Sequence, residues 1–220
     1  MLHLPRGKTV RPQVNPARIN LPQAMEKLRR GRFSGYLRFD DAQGAGLVLF
    51  QDGHLIDAVF DGEDRTGLIA FDALTRIFSL SIAGHARLNI YHIGSDLALH
   101  LHALLRGTVE RSALDVRQLD VAGLQRQISS EGLSACLRVY TDADCTLIFY
   151  DQGKAQGFFV DGAAELQQQV EVADSIAAKD GARLDVVLLP DIEKSPPADL
   201  MAVADLQPVW QGLRHDLLGR

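Results

Sequence analysis

The chain has 220 residues, of which 46% are hydrophobic and 23% are charged, and its formal net charge is −5. This composition argues against a disordered, collagen-like or membrane-spanning chain, and the length suffices for one large domain or two small ones with a sizeable core. Two cysteines are too few for a disulfide scaffold or a multi-cysteine zinc site.

The net charge is unevenly distributed along the chain. Residues 1–32 contain eight basic side chains and one acidic side chain, whereas the remaining 188 residues have a net charge of −12. A basic segment ahead of an acidic body can attract phosphate groups, an acidic protein or the body itself. Eight scattered charges lack the density of a nucleic-acid-binding arm. The favoured interpretation is therefore a solvated tail followed by one charged helix face.

The sequence contains an internal repeat at an offset of 100 residues. Residues 33–62 align with residues 133–162 without a gap, and seven of the 30 aligned positions are identical. Upstream, Asn20 aligns with Asp120, and both are residues that commonly cap the start of a helix. Further downstream the offset becomes 96, because the second copy is four residues shorter, about one helical turn. The repeat predicts two tandem units of similar fold.

The first predicted unit follows an extended arm. Residues 1–18 form this arm, because they contain three prolines and little hydrophobic periodicity. The unit itself covers residues 19–106. In order, it is predicted to contain a helix at 19–28, an antiparallel meander of three strands around 36–39, 47–50 and 55–60, a longer helix from about residue 70, a strand at 88–93 and an amphipathic helix at 95–105.

A linker at residues 107–118 is predicted to lead into the second unit, at residues 119–220. This unit repeats the helix, the three-stranded meander, the second helix and the closing strand, and it ends in an amphipathic helix that is interrupted at Pro208. One face of its second predicted helix carries Leu166, Val170, Ala173 and Ala177. The expected fold is α+β, with two tandem pseudo-symmetric repeats. Open sheet edges or the terminal helices could support a homodimer.

A short pattern of small residues runs through the first copy. It consists of a Ser-Gly-x-Leu sequence, a glycine turn after an apolar strand, a small residue in the next strand and a glycine ahead of an Ala-rich helix. The residues are Ser34, Gly35, Leu37, Gly53, Ala58, Gly67 and Ala70. This pattern resembles the bacterial PATAN-like, DUF4388 domain. The second copy departs from the pattern at Ala135, Phe158 and Gln167.

The resemblance implies an interaction module of bacterial signalling. Such domains occur beside response-regulator receivers or together with small Ras-like GTPases and their regulators. No catalytic residue set belongs to the family, so the resemblance implies a non-enzymatic adaptor or regulator with an unidentified protein partner. One alternative is a protein that stimulates GTP hydrolysis in a partner GTPase by supplying Arg29 or Arg30.

The sequence offers no convincing catalytic or metal-binding motif. It lacks the glycine-rich motifs that bind phosphate ahead of a helix. Asp96 and His100 have the i, i+4 spacing of two ligands on one helix face, but a solvated or hydrogen-bonded histidine is the more common outcome of that spacing. We therefore expect no metal and no cofactor.

Basic residues are the best candidates for a partner-binding site. The densest group is the helix face of Lys27, Arg29, Arg30 and Arg32. Only Phe33 and Tyr36 follow it, which is little aromatic surface for single-stranded nucleic acid, so binding of nucleic acid or phosphate is the less favoured alternative. Arg38 and Arg138 recur at one strand position. A structural ion pair is the favoured interpretation for both, and an edge that binds an acidic partner is the alternative.

The expected compartment is the cytoplasm. The first residues contain no apolar run of signal-peptide length, and no apolar stretch approaches the ~20 residues that a membrane helix needs. Cys136 and Cys145 are expected to be free thiols, although their spacing could place them across a hairpin.

Overall fold

The computed structural model describes residues 3–63, 67–169, 176–191 and 196–219, and within these ranges the fold is α+β, as predicted. Two antiparallel sheets are accompanied by helices. The chain divides into two compact units. In the described residues, the first unit comprises 9–98 and 197–219, and the second comprises 3–8, 99–191 and 196.

The first sheet has six strands. They are β1 (Lys8–Val14), β2 (Gly35–Asp41), β3 (Gly44–Gln51), β4 (His54–Gly62), β5 (Gly67–Ile69) and β6 (Arg87–His92), and their order across the sheet is β1-β6-β2-β3-β4-β5. Helix α1 (Leu21–Arg30) lies between β1 and β2, and α2 (Ala70–Ala83) lies between β5 and β6. Helix α3 (Ser95–Arg106) follows β6. The predicted helix and meander of the first unit are therefore present, each within a few residues of its predicted position.

The second sheet has five strands. They are β7 (Thr108–Asp115), β8 (Ala135–Tyr140), β9 (Cys145–Asp151), β10 (Lys154–Phe159) and β11 (Arg183–Leu188), in the order β7-β11-β8-β9-β10. Helix α4 (Val121–Ser130) precedes β8. Two helices end the chain, α5 (Leu200–Val203) and α6 (Leu206–Leu218). The strand order corresponds to β1-β6-β2-β3-β4 of the first sheet.

The core of the first unit lies between its sheet and its helices. Apolar side chains of β2, β3 and β4 pack with those of α1, α2 and α6 in one buried cluster. Trp210 of α6 contacts Phe78 of α2 edge to face, with ring centroids 5.3 Å apart. The sequence places the C-terminal helix in the predicted unit of residues 119–220, where it could cover that unit or the neighbouring one. The buried face of α6 belongs to the core of the first unit. Burial of Leu206 and Trp210 explains this placement.

Two segments without predicted structure form strands. The N-terminal arm contains β1, and the 107–118 linker contains β7; each strand ends in a single 3₁₀ turn. Both strands are exposed along almost their whole length, so their sequences lack the apolar alternation that marks a half-buried strand. Hydrogen bonding to β6 and β11 stabilises them instead.

The second predicted helix of the second unit differs from the structure. Gln167 exchanges two 2.8 Å hydrogen bonds with Phe158 of β10, so its backbone is extended. Those backbone groups are therefore unavailable for helical hydrogen bonds. Leu166 lies outside any helix, and Ala177 lies in a 3₁₀ turn at Ile176–Ala178. Val170 and Ala173 lie outside the described residues.

The outermost strands β1 and β7 are poor templates for pairing with a second copy. Gln13 and Ala113 both have φ 53°, a left-handed conformation that interrupts the strand. Pro12 removes one backbone donor from β1, and the register of β7 against β11 shifts twice. Such irregularities disfavour edge-to-edge association through β1 or β7. A homodimer through the other sheet edges, β5 and β10, or through the terminal helices stays a prediction.

Candidate functional site

Four of the predicted site residues come together at the end of α1. Lys27, Arg29 and Arg30 lie in its last turn, and Arg32 follows in the turn after the helix. These four residues form the basic end of α1. Cations at this position interact favourably with the negative end of the helix dipole.

Within the part of the chain that the structure describes, two residues of the basic end form ion pairs. Arg30 Nε donates to Glu26 at 3.2 Å, and Arg29 lies 3.8 Å from Glu26 and 3.9 Å from Asp199. The side chain of Arg30 remains 78% exposed, so water and salt screen this pair. No ion pair to Lys27 or Arg32 is formed within the described ranges. The surface keeps a net positive charge.

The hairpin between β3 and β4 positions the basic end. Asp52 and Gly53 both have positive φ, as a two-residue type I′ turn requires. The Gly53 N–H donates to the Phe33 carbonyl at 2.9 Å. A Cβ on Gly53 would lie 2.4 Å from the Arg29 carbonyl oxygen, so only glycine permits this close approach.

Helix α4 ends in the same backbone arrangement without the charges. Leu133 N–H donates to Ile128 at 3.0 Å as Phe33 N–H does to Leu28, and Gly153 N–H donates to Leu133 at 2.9 Å. The residues aligned with the basic end at offset 100 are Gln127, Ser129, Ser130 and Gly132. The backbone arrangement therefore forms without any of the four cations.

Phe33 and Tyr36 do not form an exposed stacking surface. The Phe33 ring packs against Phe50 and His92, with centroids 6.2 and 6.3 Å apart. Tyr36 is 1% exposed. The two aromatic residues considered for nucleic-acid stacking are therefore used for packing.

A groove of about 430 Å³ adjoins Arg29. Side chains of α1 line one part of it, and residues 201–207, from within α5 to the start of α6, line the rest. Val203 is 66% exposed there. A partner that contacts the basic end therefore also meets an apolar side chain and a concave surface.

Arg38 and Arg138 do not belong to the basic end. Arg38 Nε donates to Asp40 at 2.8 Å in the first sheet. Arg138 Nε donates to Asp185 at 2.9 Å in the second sheet, where the Asp185 side chain is 4% exposed. Burial, and then the Asp185 carboxylate, raise the pKa of Tyr140. The structure thus places both arginines in ion pairs within their own sheets.

A carboxylate that no sequence motif singled out holds the C-terminal segment within the first unit. Asp199 accepts the N–H of Leu55 at 3.2 Å and of Met201 at 3.0 Å, and it contacts the His54 ring at 3.2 Å. The only local signal was an aspartate just before a short apolar helix, where it acts as a cap. Its contacts with β4 join residues more than 140 positions apart.

His100 and the two cysteines of the second unit pack against aromatic residues. His100 contacts Phe149 edge to face, with centroids 5.1 Å apart. The described ranges contain no group of three or more side chains suited to a metal ion. Cys136 and Cys145 are buried and not disulfide-bonded, and each lies opposite an aromatic residue of the neighbouring strand. Burial raises the pKa of Cys136 far above its ordinary range.

One family model matches the first part of the chain. Residues 2–104, just under half of the chain, match a family described as an uncharacterized protein conserved in archaea (DUF2226). No curated protein and no solved structure matches the chain. In the part of the chain that the structure describes, no helix is long and apolar enough to cross a membrane.

The resemblance to the bacterial PATAN-like, DUF4388 domain is wrong, because the matching family is a different one and is described as archaeal. Two glycines of the pattern, Gly35 and Gly53, reflect backbone requirements instead. Gly35 has φ 154° and Gly53 has φ 88°, and a Cβ at either position would collide with a neighbouring carbonyl oxygen. Small residues at such positions recur wherever a tight meander forms. Only that resemblance suggested receiver domains and GTPases as partners, so it no longer supports them.

Proposed function

We propose that the protein is a non-enzymatic interaction module that binds an acidic segment of a partner protein at the basic end of α1. We also propose that its two units are copies of one pseudo-symmetric repeat, of which only the first carries this docking surface. The partner segment lies along Lys27, Arg29, Arg30 and Arg32, and one of its apolar side chains contacts Val203 in the adjoining groove.

The difference between the ends of α1 and α4 carries this proposal. Both helix ends make the same backbone hydrogen bonds to the following strand and hairpin. At α4 those bonds coexist with uncharged residues at the four aligned positions, so folding of this arrangement does not require the cations. A cluster of charges that the scaffold does not require is a candidate for recognition.

Arg32 supports the same conclusion. Its φ is 51°, a left-handed conformation that disfavours residues with a Cβ, and the aligned residue Gly132 has φ 61°. Arginine at this position costs about 1 kcal/mol of backbone strain that glycine would avoid. No ion pair within the described ranges compensates for that strain. Binding of an anionic partner provides a reason for an arginine there.

An acidic protein fits this surface better than a nucleic acid. Phe33 and Tyr36 are packed, so the basic end offers no aromatic platform for bases. Glu26 lies among the four cations and would repel a continuous phosphate backbone. A protein segment can place its carboxylates beside the cations and keep clear of Glu26.

The test exchanges the basic end for the residues of α4. The full chain and the variant Lys27→Gln, Arg29→Ser, Arg30→Ser and Arg32→Gly are titrated against a fluorescein-labelled glutamate-rich peptide. We expect the exchange to weaken binding by at least about tenfold, because several charge-assisted contacts are lost together. Circular dichroism melting checks that the variant folds.

A charge-matched variant is the control. It removes four exposed cations outside the basic end, namely Lys8, Arg11, Arg87 and Arg111. This control keeps the affinity of the original chain if the site is specific. Equal weakening in both variants would show a general charge effect and overturn the proposal. Tighter binding to a labelled oligothymidylate than to the peptide would assign the surface to nucleic acid instead.

A further inference from the structure

A second concave site lies at the opposite end of α1. It is a cavity of about 320 Å³ within the first unit, lined by the 3₁₀ turn ahead of α1, by the start of α1 and by α6. The apolar part of its lining includes Ile19, Ile82 and Trp210. Its volume is sufficient for a small organic molecule.

The polar side chains that line this cavity present hydrogen-bond donors. Arg18 and Arg214 are exposed, and neither forms an ion pair within the described ranges. Asn20 uses its side-chain oxygen to accept the Gln23 N–H at 3.1 Å, which leaves its amide NH₂ as a donor. Trp210 is 4% exposed, and its indole N–H donates to no residue that the structure describes.

The charge of this cavity is correspondingly one-sided. Two guanidinium groups line it, and none of its lining residues is acidic. At the aligned positions of the second copy, Gln118 replaces Arg18 and Asp120 replaces Asn20. Arg117 replaces Ala17, but it is paired with Asp180. Asp120 is itself paired with Arg126 at 3.6 Å. The donor-rich lining is therefore a property of the first unit.

We propose that this cavity binds a phosphate monoester with a small apolar or aromatic group. Arg18 and Arg214 donate to the phosphate oxygens, because a doubly charged phosphate matches two guanidinium groups in charge and in hydrogen-bond geometry. Trp210 and Ile82 contact the apolar group. This site is independent of the partner-binding surface at the other end of α1.

Binding at this cavity can be followed by tryptophan fluorescence, because Trp210 is the single tryptophan of the chain. Phenyl phosphate is titrated into the full chain while tryptophan emission is followed. We expect a saturable change in emission. The variants Arg18→Gln and Arg214→Gln should each weaken binding by about tenfold, since each loses a charge-assisted interaction. Arg87→Gln, at an exposed position of β6, should leave the affinity unchanged.

Three results would overturn the assignment. They are an emission that does not change on titration, equal binding of uncharged phenol, and equal weakening in Arg87→Gln. Phenol distinguishes an apolar cavity from an anion site, because it lacks the phosphate but keeps the ring. Both arginines are exposed, so their substitution leaves the core intact, and melting curves verify that each variant is folded.

Discussion

The arginine that recurs in the two sheets is neutralised differently in the two units. In the first sheet, Arg38 binds Asp40 on its own strand, and Asn89 lies opposite Arg38 on β6. In the second sheet, Arg138 binds Asp185, which lies opposite it on β11. An amide in one unit therefore occupies the position of a carboxylate in the other.

Asn89 and Asp185 nevertheless share one role. Each accepts the N–H of a left-handed residue in the edge strand, at 2.9 Å from Gln13 and at 2.6 Å from Ala113. In both units this position holds a side-chain oxygen that accepts the backbone N–H of the left-handed residue in the edge strand. The oxygen belongs to an uncharged amide in one unit and to a charged carboxylate in the other. Where the acceptor is uncharged, the arginine obtains its carboxylate from the neighbouring Asp40.

The largest expected effect comes from removing the arginine of the second unit. Among the described residues, Arg138→Ala leaves the Asp185 carboxylate, 4% exposed, with only the Ala113 N–H and the Tyr140 hydroxyl as hydrogen-bonding partners. A buried carboxylate that loses its cation destabilises the native state, so we expect the unfolding free energy to fall by roughly 3 kcal/mol. Amide hydrogen exchange of peptides from β8 and β11 measures this loss.

The control for Arg138 is Arg126→Ala in the same unit. Arg126 pairs with Asp120 at 3.6 Å, and both side chains are 73% exposed. Water screens such a pair, so its removal should cost less than about 1 kcal/mol. Similar losses in the two variants would mean that burial of Asp185 does not control the stability of the second sheet.

A smaller loss of stability is expected in the second unit at alkaline pH. Both cysteines of the chain lie in the second unit, and burial raises the pKa of Cys136 above its ordinary value of 9.0. Above pH 9 the unfolded thiol loses its proton while the native thiol keeps it, so the native state binds more protons and its stability falls as pH rises.

The slope of this loss is about 1.4 kcal/mol per pH unit between pH 9 and the raised pKa. Urea unfolding followed by circular dichroism at pH 8, 9 and 10 measures it, and Cys136→Ala should flatten the dependence. An unchanged slope in the variant would assign the alkaline loss to other groups, such as Tyr150, whose pKa is also raised by burial.

Local sequence signals were sufficient where neighbours in the chain determine the structure. Asn20 and Asp120 indicated two helix starts, and both cap those helices by accepting the N–H three residues ahead. The glycine turns at Gly53 and Gly153 indicated the hairpins, and each has the positive φ that such turns need. The basic end of α1 was visible for the same reason, because its residues are neighbours in one helix.

Sequence signals failed where distant parts of the chain meet. Strands β1 and β7 form because β6 and β11 supply hydrogen-bonding partners, and their exposed residues carry no apolar alternation. Asp199 reaches β4 from more than 140 residues away. The cavity is lined by residues that are far apart in sequence, with Arg18 on one side and Trp210 and Arg214 of α6 on the other. Such placements depend on tertiary packing, which no local window contains.

The smallest expected change in stability comes from a variant that gives the end of α1 a residue found at the end of α4. Arg32→Gly introduces the residue found at Gly132, which relieves the left-handed strain and adds entropy to the unfolded chain. The two terms oppose each other, so the first unit should gain only about 0.5 kcal/mol. Urea unfolding followed by emission of Trp210, which lies in the same unit, measures the gain.

The same variant should bind the glutamate-rich peptide more weakly than the original chain does. A gain in stability together with a loss of affinity is expected of a residue whose strain is retained for recognition. A loss of stability instead would show that the Arg32 side chain contributes to the native fold. The charges at the end of α1 would then be part of the scaffold, and their absence from α4 would have a structural cause.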